Sequence, residues 1–99
     1  MHRQTKFTAI SKSVKERVWR RDSGCCIYCG NPNAAPNAHY IPRSRGGLGI
    51  EENVVTLCAE CHRDYDQSGE RKVLGAFIRQ YLASRYDGWD ENDLVYRRS

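Results

Sequence analysis

The sequence predicts a small α+β fold stapled by zinc, with a β-hairpin between two metal knuckles and helices flanking it on the N- and C-terminal sides. Three observations predict this. Cys26, Cys29, Cys58 and Cys61 form two C-x-x-C pairs about 30 residues apart, and each pair can offer two thiolates from one tight turn to a tetrahedral ion. Between the pairs lie two short runs of strand-forming residues separated by a Gly-rich connection. Outside them, apolar residues recur at helical spacing. A chain of 99 residues buries only a modest core, so a structural metal is a natural stabiliser.

The elements follow in order. Residues 1–12 read as a flexible, polar N-terminus. Ser13-Val14-Lys15-Glu16 has the capping-box pattern, and Val14 and Val18 share a helical face, which predicts a helix over about 13–22. Gly24 ends it. The knuckle Cys26-Ile27-Tyr28-Cys29-Gly30 follows, and the Asn-, Pro- and Ala-rich stretch 31–37 reads as a loop. His39 to Ile41, bounded by Pro42, and Val54 to Leu57 read as the two strands of a hairpin joined through the Gly-rich segment 43–52. A helix starts from the second knuckle over Glu60 to Tyr65. A longer one runs over about 70–86, with Val73, Leu74, Phe77, Ile78, Tyr81 and Leu82 as its core stripe. The apolar residues between Trp89 and Tyr96 can dock back onto this frame. No linker or repeat divides the chain, so residues 1–99 are expected to form one domain with a core over about 13–86.

Composition narrows the function classes. Hydrophobic content is 39% and mean hydropathy is −0.76, with no signal peptide and no segment that could span a membrane. A cytoplasmic setting is the expectation. It would keep the thiols reduced, so the paired cysteines read as metal ligands rather than disulfides. Cys25 lies outside the C-x-x-C register and reads as a free or packing thiol. Sixteen Lys and Arg against twelve Asp and Glu give a net charge of +4, compatible with a polyanionic partner. The bias concentrates in Lys12, Lys15, Arg17, Arg20 and Arg21, a cluster that could face DNA or simply be a solvated helix face. Arg43 and Arg45, at the mouth of the hairpin loop, are suited to pairing with backbone phosphates.

The chain resembles the HNH endonucleases, in particular the small zinc-stapled HNH proteins of bacteriophages and prophages. The matching pieces are Cys26-x-x-Cys29-Gly30, the block from Ala38-His39-Tyr40-Ile41-Pro42 to Gly47, and the run from Glu52-Asn53 to Cys61-His62. The resemblance implies a ββα-metal fold, a hairpin packed on a helix with the site between them. It also implies His39 as the general base that deprotonates water, a task suited to an imidazole near neutral pH. Asn53 becomes the holder of the hairpin loop or a metal contact, and His62 a ligand of a catalytic divalent ion (Mg²⁺, Mn²⁺ or Ni²⁺). The four-cysteine Zn²⁺ is then closed and structural. Where many members carry Asp or His directly before the base, this chain has Ala38. Asp66, one turn beyond His62, is the candidate substitute; Asp64 points elsewhere.

The function implied is metal-dependent hydrolysis of DNA, nicking or cutting, with 5′-phosphate and 3′-hydroxyl ends. The phage likeness adds a role beside a terminase in genome packaging, with homing or restriction as the competing setting. A catalytically decayed zinc-stapled DNA-binding or scaffold module is the reading from a different class, and Ala38 is its motive.

Overall fold

The computed structural model describes residues 7–67 and 71–96. Ser11 accepts a hydrogen bond from the Val14 N–H at 3.2 Å and starts helix α1, Lys12–Arg21. The cap is therefore Ser11 and not Ser13, two residues before the capping box that the sequence suggests. Strand β1, Ala34–His39, pairs antiparallel with β2, Val54–Cys58, to form a two-stranded sheet. Helix α2, Ala59–Gln67, grows directly out of the second knuckle, and α3 runs over Arg71–Arg85. Short 3-10 turns occupy Arg43–Arg45 and Glu91–Leu94.

β1 occupies the stretch expected to be a loop and stops before Ile41. Ala35 pairs with Leu57 and Ala38 with Val55, so three steps along β1 meet two along β2. That bulge absorbs Pro36, which cannot donate to a ladder and reads from sequence as a breaker. β2 is buried along its whole length because both of its faces are covered. Val54 packs with Val14 and Val18 of α1, while Val55 and Leu57 pack with Ala38, Tyr65, Leu74, Ile78 and Leu82. Leu74, Ile78 and Leu82 are the buried stripe of α3; Val73, expected within it, is 55% exposed.

Asp22 ties the layers together. It is buried and accepts hydrogen bonds from Arg21, from the Thr56 N–H at 2.8 Å and from the Tyr81 hydroxyl at 2.6 Å. The hairpin loop is held from both chain ends. Leu94 is buried, the Leu48 N–H donates to its carbonyl at 2.8 Å, and the Tyr96 N–H donates to Gly46 O at 2.7 Å. Gly47 permits the fold of that loop, since a Cβ there would lie 1.7 Å from Ile41 O. Residues 1–6 of the expected flexible N-terminus lie outside the described residues. From Phe7 onward the chain is packed: Thr8 is 2% exposed, and the Gly49 N–H donates to Phe7 O at 3.0 Å.

Candidate functional site

Two candidate centres adjoin the start of α2, one through Cys58 and Cys61 and the other through His62. In the first, the sulfurs of Cys26, Cys29, Cys58 and Cys61 all fall within 4.8 Å of one another, with Cys29 Sγ 3.6 Å from Cys58 Sγ. Tetrahedral zinc with bonds near 2.3 Å needs sulfur–sulfur edges of about 3.8 Å, so the donor set and its spacing fit that ion. Gly30, at φ 80°, turns the first knuckle, and its N–H donates to Cys26 O at 2.9 Å. Burial disfavours the Cys26 thiolate, but backbone hydrogen bonds from Cys29, Cys58 and Tyr28 outweigh it and bring this thiol down to about 7. Burial and the neighbouring sulfurs push Cys61 the other way. Cys25 is not part of the cluster.

The second centre is an open cleft of about 920 Å³, whose lining includes His39, His62 and Asp66. His39 is the last residue of β1 and is half-buried, with its Nε2 2.8 Å from Thr8 O. Burial lowers its pKa below the 6.5 of a free imidazole; the Thr8 carbonyl opposes this, Arg43 and His62 add to it, and Asp66 opposes it. His62 and Asp66 project from one face of α2, as i,i+4 spacing requires, with Nε2 and Oδ2 3.3 Å apart. Two ligands at right angles on an ion with bonds of about 2.1 Å stand about 3.0 Å apart, so this pair fits adjacent positions of one shell. Among the described residues no third His, Cys, Asp or Glu completes a cluster with them.

Ala38 faces away from this cleft. It is completely buried in the core cluster with Val55 and Tyr65, so a carboxylate at that position would be buried with it rather than aimed at an ion. Asn53 is also fully buried. Its Oδ1 accepts from the Ile41 N–H at 2.8 Å, and its Nδ2 donates to Ile41 O at 3.2 Å and Leu48 O at 2.9 Å. The side chain holds the hairpin loop closed and does not reach the cleft lining.

The basic residues divide. Lys15, Arg43 and Arg45 line the cleft. Arg20 is exposed but lies about 140° around α1 from Lys15, at 100° per residue. Arg21, expected to contact DNA, is committed inside the molecule. Its five N–H donors reach both Asp22 oxygens, Glu51 O, Val54 O and the Tyr86 hydroxyl. Arg71, which nothing in the local sequence marks, does line the cleft; it lies 4.7 Å over the Tyr65 ring and donates to Tyr65 O at 3.0 Å. Ala9 and Ile10 form another part of the wall. Only tertiary packing brings those residues to the site.

Residues 26–82 match the family model described as HNH endonuclease, from the first knuckle into α3. The chain is 35% identical over 63 residues to anaredoxin of Nostoc sp., covering 63% of this chain and 82% of that protein. It is 34% identical over 71 residues to the type IV methyl-directed restriction enzyme EcoKMcrA of Escherichia coli strain K12, covering 62% of this chain but only 25% of the restriction enzyme.

Proposed function

We propose that this chain, which belongs to the HNH endonuclease family, hydrolyses phosphodiester bonds of DNA in the cleft between the hairpin and α2. One observation carries the reading: a candidate base, His39, and a candidate ion-binding pair, His62 and Asp66, line the same cleft as four cationic side chains, Lys15, Arg43, Arg45 and Arg71. The cations are placed to hold successive backbone phosphates. Neutral His39 takes a proton from water as the water oxygen bonds to phosphorus, and the 3′ oxygen departs with the bonding pair and takes a proton from solvent in the open cleft, leaving 5′-phosphate and 3′-hydroxyl ends. His62 and Asp66 would hold a divalent ion, which when bound would supply positive charge to the phosphoryl group under attack. Asn53 serves by keeping the loop that carries Arg43 and Arg45 in register with His39.

The E. coli relative supports a restriction-type setting more directly than the packaging role beside a terminase, which rests on resemblance to phage proteins alone. A decayed DNA-binding module is the second reading, motivated by the missing ligand at Ala38. Supercoiled plasmid incubated with Mg²⁺, Mn²⁺ or Ni²⁺ separates them. The parent is expected to nick or linearise it, and His39→Ala to lose at least about a hundredfold in rate while still binding DNA. Asp66→Ala is expected to raise the ion concentration needed for half-maximal cleavage, with excess ion restoring activity in part. Equal cutting by His39→Ala and the parent would refute the assignment of the base. Binding without cutting under every ion would favour the decayed module.

A further inference from the structure

Resting on the nuclease reading, we propose that the stacked rings of Phe7 and Tyr96 form a base-stacking platform at the rim of the cleft. The DNA that this chain takes then carries an unpaired base at that point. Both rings lie outside the 26–82 family match, one on each side of it. Their centroids are 5.0 Å apart and their planes 19° from parallel. Tyr96 covers one face of Phe7, yet Phe7 remains 47% exposed. A flat apolar ring left in water beside a cationic cleft offers what a nucleobase can use, since every base has a π-face to stack.

Backbone contacts moor both rings to the hairpin loop. Phe7 opens the N-terminal strap, residues 7–10, whose Ala9 and Ile10 line the cleft. The Gly49 N–H donates to Phe7 O at 3.0 Å, and Arg43 Nε donates to Thr8 Oγ1 at 3.3 Å. A Cβ at Gly49 would lie 2.1 Å from Ala9 O, so the loop and strap touch closely there. From the other side, the Tyr96 N–H donates to Gly46 O at 2.7 Å, one residue after Arg45. The same loop presents Arg43 and Arg45 to the cleft. Cations and an aromatic face side by side match the two halves of a nucleotide, phosphate and base. Within a duplex each base is already stacked, and bringing one to the platform requires unstacking it. An unpaired base arrives without that cost. The substrate class is therefore DNA with a single-stranded stretch at the cleft.

Zinc-loaded full-length protein, with no other divalent ion added, is titrated into two fluorescein-labelled strands of equal length. One is all thymidine and the other has the same phosphates on abasic sugars, so their difference in affinity measures the bases. The parent is expected to bind the thymidine strand about tenfold tighter, within the range for stacking one base. Phe7→Leu, which keeps apolar bulk but no flat ring, is expected to bring the thymidine strand down to the abasic one. Phe7→Trp is expected to keep the preference. Should Phe7→Leu fail to fold, the parent itself decides. Phe7 and Phe77 are its two phenylalanines, so ring labelling gives two resolvable sets of proton signals. The Phe7 set is expected to move upfield with the thymidine strand and to stay in place with the abasic one. Equal binding of the two strands by the parent overturns the inference. So does a preference that survives Phe7→Leu, or a Phe7 ring that thymidine leaves unmoved. A parent that shows the preference but cuts neither single strands nor supercoiled plasmid with Mg²⁺, Mn²⁺ or Ni²⁺ overturns the nuclease reading instead and leaves the platform standing.

Discussion

His39 is subject to opposed influences: burial, Arg43 and His62 favour the neutral ring, whereas the Thr8 carbonyl and Asp66 favour the imidazolium. The net displacement is below 6.5, so the base form persists into mildly acidic solution. The acid limb of a rate profile over about pH 5 to 8 is expected to have its midpoint below that of free imidazole. Stability follows the same sign. Below 6.5 the unfolded chain takes up a proton at this position before the folded chain does, so the stabilisation is complete above 6.5 and declines as pH falls toward the folded value. A limb centred above 6.5 would assign the titration to another group. Arg21 shows the opposite fate of a charged residue. Its removal leaves Asp22 buried without its partner, and Arg21→Ala is expected to cost about 3 kcal/mol in urea denaturation. DNA affinity should change little once folding is allowed for, because the guanidinium faces inward.

Among the elements, the two knuckles were the most legible and β1 the least. A C-x-x-C pair reports its own geometry, because two thiolates on one turn have few uses other than a metal. β1 contains Pro36 between small residues and gains its strand character only by pairing with the fully buried β2. The start of α1 was displaced because Ser11 and Ser13 are both competent caps, and the hydroxyl of Ser11 is the one that accepts from Val14. Zinc held by the four cysteines would contribute roughly 10 kcal/mol to folding, as much as the whole net stability of a typical domain. Cys58→Ser, or a strong chelator, is therefore expected to abolish the helical circular dichroism, with re-added zinc restoring it in the chelated parent. Cys25→Ser should match the parent. A chelated protein that kept its fold would show that the four sulfurs are not the staple.

At the scale of the whole molecule, the hairpin loop is held between two segments remote in sequence. The tail contributes Leu94 and the Gly47–Val95 bridge, and the Trp89 indole donates to Glu52 O at 2.8 Å. Leu94→Ala is expected to destabilise by about 2 to 5 kcal/mol, the usual range for emptying a buried leucine site. Because the same contacts hold the loop of Arg43 and Arg45, plasmid cleavage should weaken even where the variant remains folded. Unchanged denaturation midpoints would mean that the tail's docking is marginal. Among the described residues no helix is long and apolar enough to cross a membrane.

The sequence by itself determined the parts whose chemistry is local or whose spacing is rigid. These are the four-cysteine cluster that could hold a metal, His62 and Asp66 one turn apart on a helix, the apolar stripe through Leu74, Ile78 and Leu82, and the HNH family. Tertiary structure alone decided which charges point where. Arg21 and Arg20 are neighbours in the chain, yet the part-buried Arg21 is committed to a hydrogen-bond network and Arg20 faces water, because Asp22, Glu51 and Val54 meet at only one of them. It also brought Arg71 and the Thr8 carbonyl to the cleft. Neither has a sequence signature, since a backbone carbonyl is common to every residue and an arginine at a helix start is ordinary. Their roles depend on what lies within hydrogen-bonding distance, and that is set by how the strap and α3 pack against the hairpin.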